Sequence, residues 1–394
     1  DRFHGATAFN QPIGKWDISS VTGMGHMLRS ATSFNYDIGD WNTSKVTDMR
    51  FVLRNVVSFN QDISRWDTSN VTRMDGFFME NNSLSSINKG LIHQTFSTNS
   101  NWPYAWRSFV PDHNADLNAT VQLQMLWVEP GTFTMGSPPT EVGRGTNETE
   151  HNVTLTEGFY LGKYEVTQAQ YEAVMTGNID GLNAKPSQWR NNPNRPVEGV
   201  SWGNVQIFLS RLNFQQSANI PAGWKYVLPT EAQWEYACRA GTTTAYSWGN
   251  DINSSRGNYN WDGGAHDGKD FKQTRDVGLY AANPWGFFDM HGNVWEWTAD
   301  YWSQKGNPTG NPVIDPTVTA SGSNRVIRGG SWLNDGTNMR SARRSRSYSS
   351  HRYNGHIGFR VGFQFIGEYT ADLNDSVQRE MLWVCLLYTS YAPD

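Results

Sequence analysis

RGGSWLNDGTNMRSARR fills residues 328–344, and it reads as the end of a strand, a tight turn and a polar loop. Gly329 and Gly330 supply the turn, because glycine enters left-handed backbone angles without a steric cost. Beyond it, residues 334–356 are dominated by Asn, Asp, Thr, Ser, Tyr, Arg and His. Binding loops use this mixture: Tyr gives contact area at low entropic cost, while Ser and Asn give adaptable hydrogen bonds. Arg340, Arg343, Arg346 and Arg360 read more plainly as partners of carboxylates and aromatic rings. The loop holds no cysteine.

Working outward, Trp295 and Trp297 alternate along a strand and share one face, the pattern of a core. Capping boxes announce helices at Thr167 with Gln170 in EVTQAQYEAVM and at Thr230 with Gln233 in LPTEAQWEYACRAG. Ser201 opens a third helix, and Gly241 stops the one that begins at Thr230. Cys238 rides an apolar helical stripe with Trp234 and Ala237, the setting of an inert buried thiol. Elsewhere short aromatic runs alternate with Gly, Asn and Pro, as in short strands joined by long loops. The fold class is α+β with much irregular chain.

The chain has 394 residues, which calls for two or more domains. Its 18 Trp, 16 Tyr and 19 Phe beside 37 Gly fit irregular chain pinned by large rings. A net charge of −5 and a pI near 6.0 leave no footprint for nucleic acid or an anionic membrane. No window is apolar for long enough to span a bilayer. Cys238 and Cys385 are the two cysteines, too few for a disulfide framework.

Segments starting at Ala6, Ala31 and Val56 repeat with a period of 25 residues. Phe9, Phe34 and Phe59 recur in register, as do Trp16, Trp41 and Trp66, and Met24, Met49 and Met74. One unit is too short to bury its own apolar set, so units must stack. This wording resembles the BspA-type leucine-rich-like repeats of bacterial surface proteins, which implies an extracellular adhesive solenoid over residues 1–80. Residues 1–5 read as the tail of a further repeat, and the start at Asp1 as truncation. Residues 81–114 are Asn/Ser-rich and read as a cap and linker. ADLNATVQLQMLWV at Ala115 returns as ADLNDSVQREMLWV at Ala371. One module therefore occupies residues 115–370, residues 371–384 start a second copy, and residues 385–394 read as an artefactual tail.

MLWVEPGTFTMGS, KYEVTQAQY, RPVEGVSW, YVLPTEAQWEYACRAG, NPWGFFDMHGNVWEW, RVIRGGSW and IGFRV occur in one order over residues 115–370. Together they resemble the formylglycine-generating enzyme (sulfatase-modifying factor) family, whose fold is a variant of the C-type lectin fold. The family's enzyme oxidises a sulfatase cysteine with molecular oxygen and a copper ion held by two cysteines. The matching positions here are Asn334 and Met339, and an amide and a thioether cannot replace two thiolates. The reaction is therefore not expected. Ser331 and Trp295 match pocket-lining positions, so a cleft is expected to persist without copper. Another branch with this fold uses non-heme iron on three histidines. The scattered His151, His266, His291, His351 and His356 lack that spacing.

Calcium is the cofactor expected instead, in a structural role. In DMHGNVWE, Asp289 and Glu296 supply carboxylate oxygens, while Gly292 lets its own carbonyl and that of Val294 face one point. The resemblance places calcium on Asp289, Gly292, Val294 and Glu296. A second site would use Asn258, the Tyr259 carbonyl and an acidic residue such as Asp270. The resulting expectation is a bacterial surface or secreted protein that binds a protein or glycan. Its ligand residues would be Asn334, Asn338, Arg343, Tyr348, Tyr353 and His356. An oxidoreductase or hydrolase reusing the cleft, or a structural spacer in a tandem array, are the other readings.

Overall fold

The computed structural model describes residues 2–81, 83–190, 192–260, 272–304, 312–319, 322–350 and 355–367. Tyr353, Asp270, His266, His351 and the segments 371–384 and 385–394 lie outside them.

The 25-residue units stack because each supplies the same backbone donors to the next. His26, Leu28 and Ser30 donate their N–H groups to the carbonyls of Arg50, Val52 and Arg54. Phe51, Leu53 and Asn55 repeat the pattern onto Asp75, Phe77 and Met79. The chain turns through left-handed angles at His26 and Phe51, and again at Ser30, Asn55 and Glu80. These side chains accept a backbone strain that glycine would avoid, as it does at Gly5 and Gly76. Inside the stack the Phe9, Phe34 and Phe59 rings lie parallel at 5.7 and 6.1 Å, and Trp41 lies 5.8 Å from Trp66. Outside it runs an asparagine ladder: Asn35 N donates to Asn10 Oδ1 at 3.0 Å, and Asn60 N to Asn35 Oδ1 at 2.8 Å. Asn35→Ala should cost roughly 1 kcal/mol, the worth of a net hydrogen bond, in urea unfolding of the whole chain. A change within error would mean that water replaces the ladder.

Residues 81–114 are more ordered than an Asn/Ser-rich linker implies. Helix α1 (Ser86–Phe96) is capped by the Ser85 hydroxyl, and its Phe96 meets Trp102 edge-on. Trp102, Tyr104 and Trp106 then pack on Phe78, at the end of the repeats. The same segment also grips residues well beyond it: His93 Nε2 reaches Glu129 at 3.1 Å, and Gln94 Nε2 donates to the Tyr160 hydroxyl at 2.5 Å.

From His113 onward the chain is α+β with short strands. One sheet has the order β1 (His113–Asp116), β2 (Gln122–Val128), β5 (Phe159–Gly162), β12 (Gly362–Phe365), β6 (Trp224–Val227). A second runs β10 (Ser345–Tyr348), β9 (Asn324–Arg328), β7 (Trp295–Tyr301), β11 (Ile357–Phe359), and a third runs β3 (Gly131–Met135), β4 (His151–Leu155), β8 (Val313–Ile314). Helices α2 (Gln168–Met175), α3 (Trp202–Gln215) and α4 (Glu231–Arg239) all begin with reciprocal caps. Thr167 pairs with Gln170, Ser201 with Asn204 and Thr230 with Gln233. Each pair satisfies two orphan donors of its first turn. Trp295 and Trp297 are buried in one core with Tyr171, Phe208 and Phe359. Trp234, Ala237 and Cys238 face a second core beside Phe287 and Met290.

Buried arginines tie these layers together. Arg360 forks onto Glu296, Arg344 onto Glu231 and Arg340 onto Glu148. Arg346 stacks on Trp302. Carboxylate pairing and ring stacking thus account for these side chains.

Candidate functional site

The Gly329–Gly330 turn delivers the loop after β9 into the middle of the molecule. Both glycines have positive φ, and a Cβ on Gly330 would lie 2.3 Å from the Met339 methyl group. Backbone angle and space both demand glycine there. Ser331 is buried, and its hydroxyl donates to Asn334 Oδ1 at 2.7 Å. The Trp295 indole donates to the same oxygen at 2.8 Å. Asn334 thereby spends its side-chain acceptor on two neighbours, while its carbonyl takes the Asn260 N–H. Of the residues picked out from sequence, Trp295, Ser331 and Asn334 do come together.

Met339 belongs to a different environment. It is fully buried with Ala245, Tyr246 and Tyr259, and Trp248 and Ile252 pack on that cluster. Its carbonyl accepts the Nδ1–H of His291 at 2.7 Å, which leaves Nε2 to accept from the Ser247 hydroxyl at 3.1 Å. Burial pushes the His291 ring down to about 4, so it is neutral near pH 7. Cys238 Sγ lies 3.6 Å from Nε2, and burial pushes its thiol up to about 12. A thiol held protonated is inert as a nucleophile. The two positions assigned to copper ligands thus carry a hydrogen-bonded amide and a thioether sealed among rings. These donors do not fit copper.

The two carboxylates expected to hold calcium, Glu296 and Asp289, carry hydrogen bonds from the protein itself. Glu296 gives Oε1 to Arg360 Nη2 at 2.9 Å and Oε2 to the Trp234 indole at 2.8 Å. Asp289 takes the Gly278 N–H at 2.6 Å, and burial raises its carboxyl to about 6. Glu165 joins them, accepting from Val294 N at 3.0 Å and Asn293 Nδ2 at 2.7 Å, and burial raises it well above the ordinary range. Three carboxylates therefore share the field of Arg360, and burial raises two of them, Asp289 and Glu165. Among the described residues, no group of three or more His, Cys, Asp or Glu is placed to hold a metal ion. At the second expected site, Asn258 donates its amide to Gln273 O and to Asn293 Oδ1.

Of the six expected ligand residues, Tyr353 lies outside the described residues. Arg343 Nε donates to Asn338 Oδ1 at 3.2 Å, tying those two to each other. Tyr348 is 51% exposed on β10, an edge strand. His356 is half-buried, and its carbonyl takes the Trp295 N–H.

A cleft of about 1010 Å³ opens instead on the outer side of Met339. Three loops wall it: residues 138–142, residues 243–252, and residues 335–340 with Tyr259 and Asn260. Tyr246 lies in its lining, and its hydroxyl donates to Gly336 O at 2.8 Å, which fixes the ring. Glu141, Tyr246 and Asp251 carry no recognisable motif in the sequence. The one signal for Tyr246 and Asp251 is a Thr- and aromatic-rich stretch, TTTAYSWGNDI, directly after the helix stop at Gly241, and Glu141 has none.

Residues 113–364 match the model of a family described as the sulfatase-modifying factor enzyme 1-like domain. Residues 1–97 match one described as "Mycoplasma protein of unknown function, DUF285". The formylglycine-generating enzyme of Mus musculus is 28% identical over 261 residues, covering 53% of this chain and 66% of its own length. That of Thermomonospora curvata is 39% identical over 151 residues, covering 36% of this chain and 46% of its own length. The chain thus spans less than two thirds of these relatives. PvdO from Pseudomonas aeruginosa superposes with a TM-score of 0.54 at 27% identity, covering 64% of this chain and 98% of that one.

Proposed function

The chain belongs to the sulfatase-modifying factor enzyme 1-like family, and from that premise we propose that it is a ligand-binding member without formylglycine-generating activity. One observation carries this reading: Asn334 Oδ1 is committed to Trp295 and Ser331, and Met339 is sealed beneath the cleft. Oxygen activation by copper in this family depends on two thiolates, and neither position offers one. The binding surface is the cleft between residues 138–142, 243–252 and 335–340. It offers aromatic faces together with a few polar groups, the usual make-up of a ligand site.

Purified chain loaded with Cu(I) and incubated in air with a cysteine-containing sulfatase peptide should give no aldehyde. It should also lose its copper on gel filtration. Stoichiometric copper together with an aldehyde-bearing peptide would overturn the proposal. Calcium in the same metal analysis would belong at Asp289, Gly292, Val294 and Glu296, with Asn258 and Tyr259 as the weaker second site.

The repeats extend this reading. A polar ladder outside and stacked rings inside support an elongated solenoid that presents the domain. We place the protein at a bacterial surface, with a protein or glycan as partner.

A further inference from the structure

We infer that residues 86–113 are a rigid joint that fixes the repeats to the module, so that the two unfold together and keep one relative orientation. This goes beyond the choice of ligand and holds whatever the module binds. Parts of a chain joined by a linker move against each other by default, because few contacts cross the boundary. Here the boundary has no free chain. Ile92 and Phe96 are buried in the core of the repeats, and Trp102, Tyr104 and Trp106 pack against it. Val110 and Ala115 are buried in the core of the module. Between Trp106 and Val110 lies only the single turn Arg107–Phe109.

Hydrogen bonds cross the boundary on both sides of that turn. Trp102 Nε1 donates to His93 Nδ1 at 2.9 Å, and an indole can only donate. His93 therefore carries its proton on Nε2 and donates it to Glu129, between β2 and β3, at 3.1 Å. Arg107 Nη2 donates to Trp127 O within β2. Gln94 Nε2 donates to the Tyr160 hydroxyl on β5, which donates in turn to Pro111 O at 3.2 Å. Helix α1 is itself shaped for this contact. Gly90 sits in its middle, where glycine weakens a helix relative to alanine. A Cβ there would lie 2.3 Å from Phe109 O, so helix and turn meet backbone to backbone. Lys89 Nζ rests 5.0 Å from the centre of the Phe109 ring.

The test is peptide-resolved hydrogen exchange on the whole chain across a urea series. Residues 31–80 follow the repeats, and β2 (122–128) with β5 (159–162) follow the module. In the wild type all of them should lose protection at one urea concentration. Gly90→Ala should favour the helix alone, yet lower that concentration and separate the two sets. His93→Asn keeps an acceptor for Trp102 and withdraws the donor from Glu129. It should speed exchange at 122–128 roughly fivefold, the factor for one net hydrogen bond. His93→Gln can still reach Glu129 and should recover most of that loss. Glu129→Ala probes the same contact from a partly exposed position and should match His93→Asn, even if Gly90→Ala does not fold. Separate midpoints in the wild type would overturn the inference, and so would a Gly90→Ala variant more stable than the wild type. Exchange at 122–128 unchanged by both His93→Asn and Glu129→Ala would overturn it as well.

Discussion

Glu235→Ala is expected to destabilise the domain by roughly 3–5 kcal/mol, as removal of one partner from a buried ion pair does. Glu235 lies on α4 one turn after Glu231, and both carboxylates are buried. Its Oε1 accepts the Gly136 N–H and Arg239 Nε, each at 2.9 Å, and its Oε2 takes Arg328 Nη2. Arg328 has no solvent exposure, so alanine would leave a guanidinium with nowhere to go. Glu231 cannot take over. Arg344 already holds both its oxygens, at 2.6 and 2.8 Å, and Arg328 Nε lies 3.3 Å from it without hydrogen-bond geometry. Burial pushes the Glu231 carboxyl up, yet Arg344 and Arg328 together hold it below its ordinary value. Glu231 therefore stays ionised, and its negative charge is already spoken for. Guanidinium denaturation should show a lower midpoint at unchanged slope. Glu235→Leu combined with Arg328→Met should recover the part of the loss due to Arg328 but not the rest, because Arg239 and the Gly136 N–H still lose Glu235 Oε1. A loss under about 1 kcal/mol for the single variant would mean that water reaches Arg328.

That network frames the stretch 328–344, since Arg328 and Arg344 bound it. Carboxylate pairing was legible in kind for Arg340 and Arg360, and so were the helix starts. A capping box is local: Thr230 needs only Gln233, three residues on. The 25-residue register was legible for the same reason, because every unit repeats one set of contacts. What the sequence could not show depended on partners far along the chain. Arg360, 64 residues beyond Glu296, closes on its carboxylate. Asn338 and Arg343 read as adaptable surface groups, and the fold bonds them to each other. A cleft was expected, but its lining was illegible, because three loops from distant segments wall it and none carries a recognised pattern alone; Ser331 and Trp295 are not in that lining. In residues 81–114 the polar composition drew attention away from Trp102, Tyr104 and Trp106. Their alternate spacing was the signal that this segment packs.

Met339→Ala should cost roughly 2–5 kcal/mol, the range for deleting a fully buried side chain and leaving a cavity. The position cannot relax cheaply. The Met339 methyl abuts Gly330, whose positive φ fixes the turn, and the Tyr246 ring beside it is anchored by its bond to Gly336 O. Collapse of the cavity would have to shift the carbonyl that holds His291 Nδ1–H, and with it a buried neutral histidine. Met339→Leu conserves volume and should stay within about 1.5 kcal/mol of wild type. The two variants separate a packing role from a vestigial metal role. A plug makes alanine costly and leucine mild in thermal and denaturant unfolding, with both variants indifferent to copper. A weak metal ligand would make leucine as damaging as alanine to copper retention while moving stability little. The first pattern is the one expected of a thioether enclosed by Ala245, Tyr246 and Tyr259. If alanine cost less than about 0.5 kcal/mol, Met339 would not be what supports the cleft floor, and cavity energetics could not explain the burial seen there.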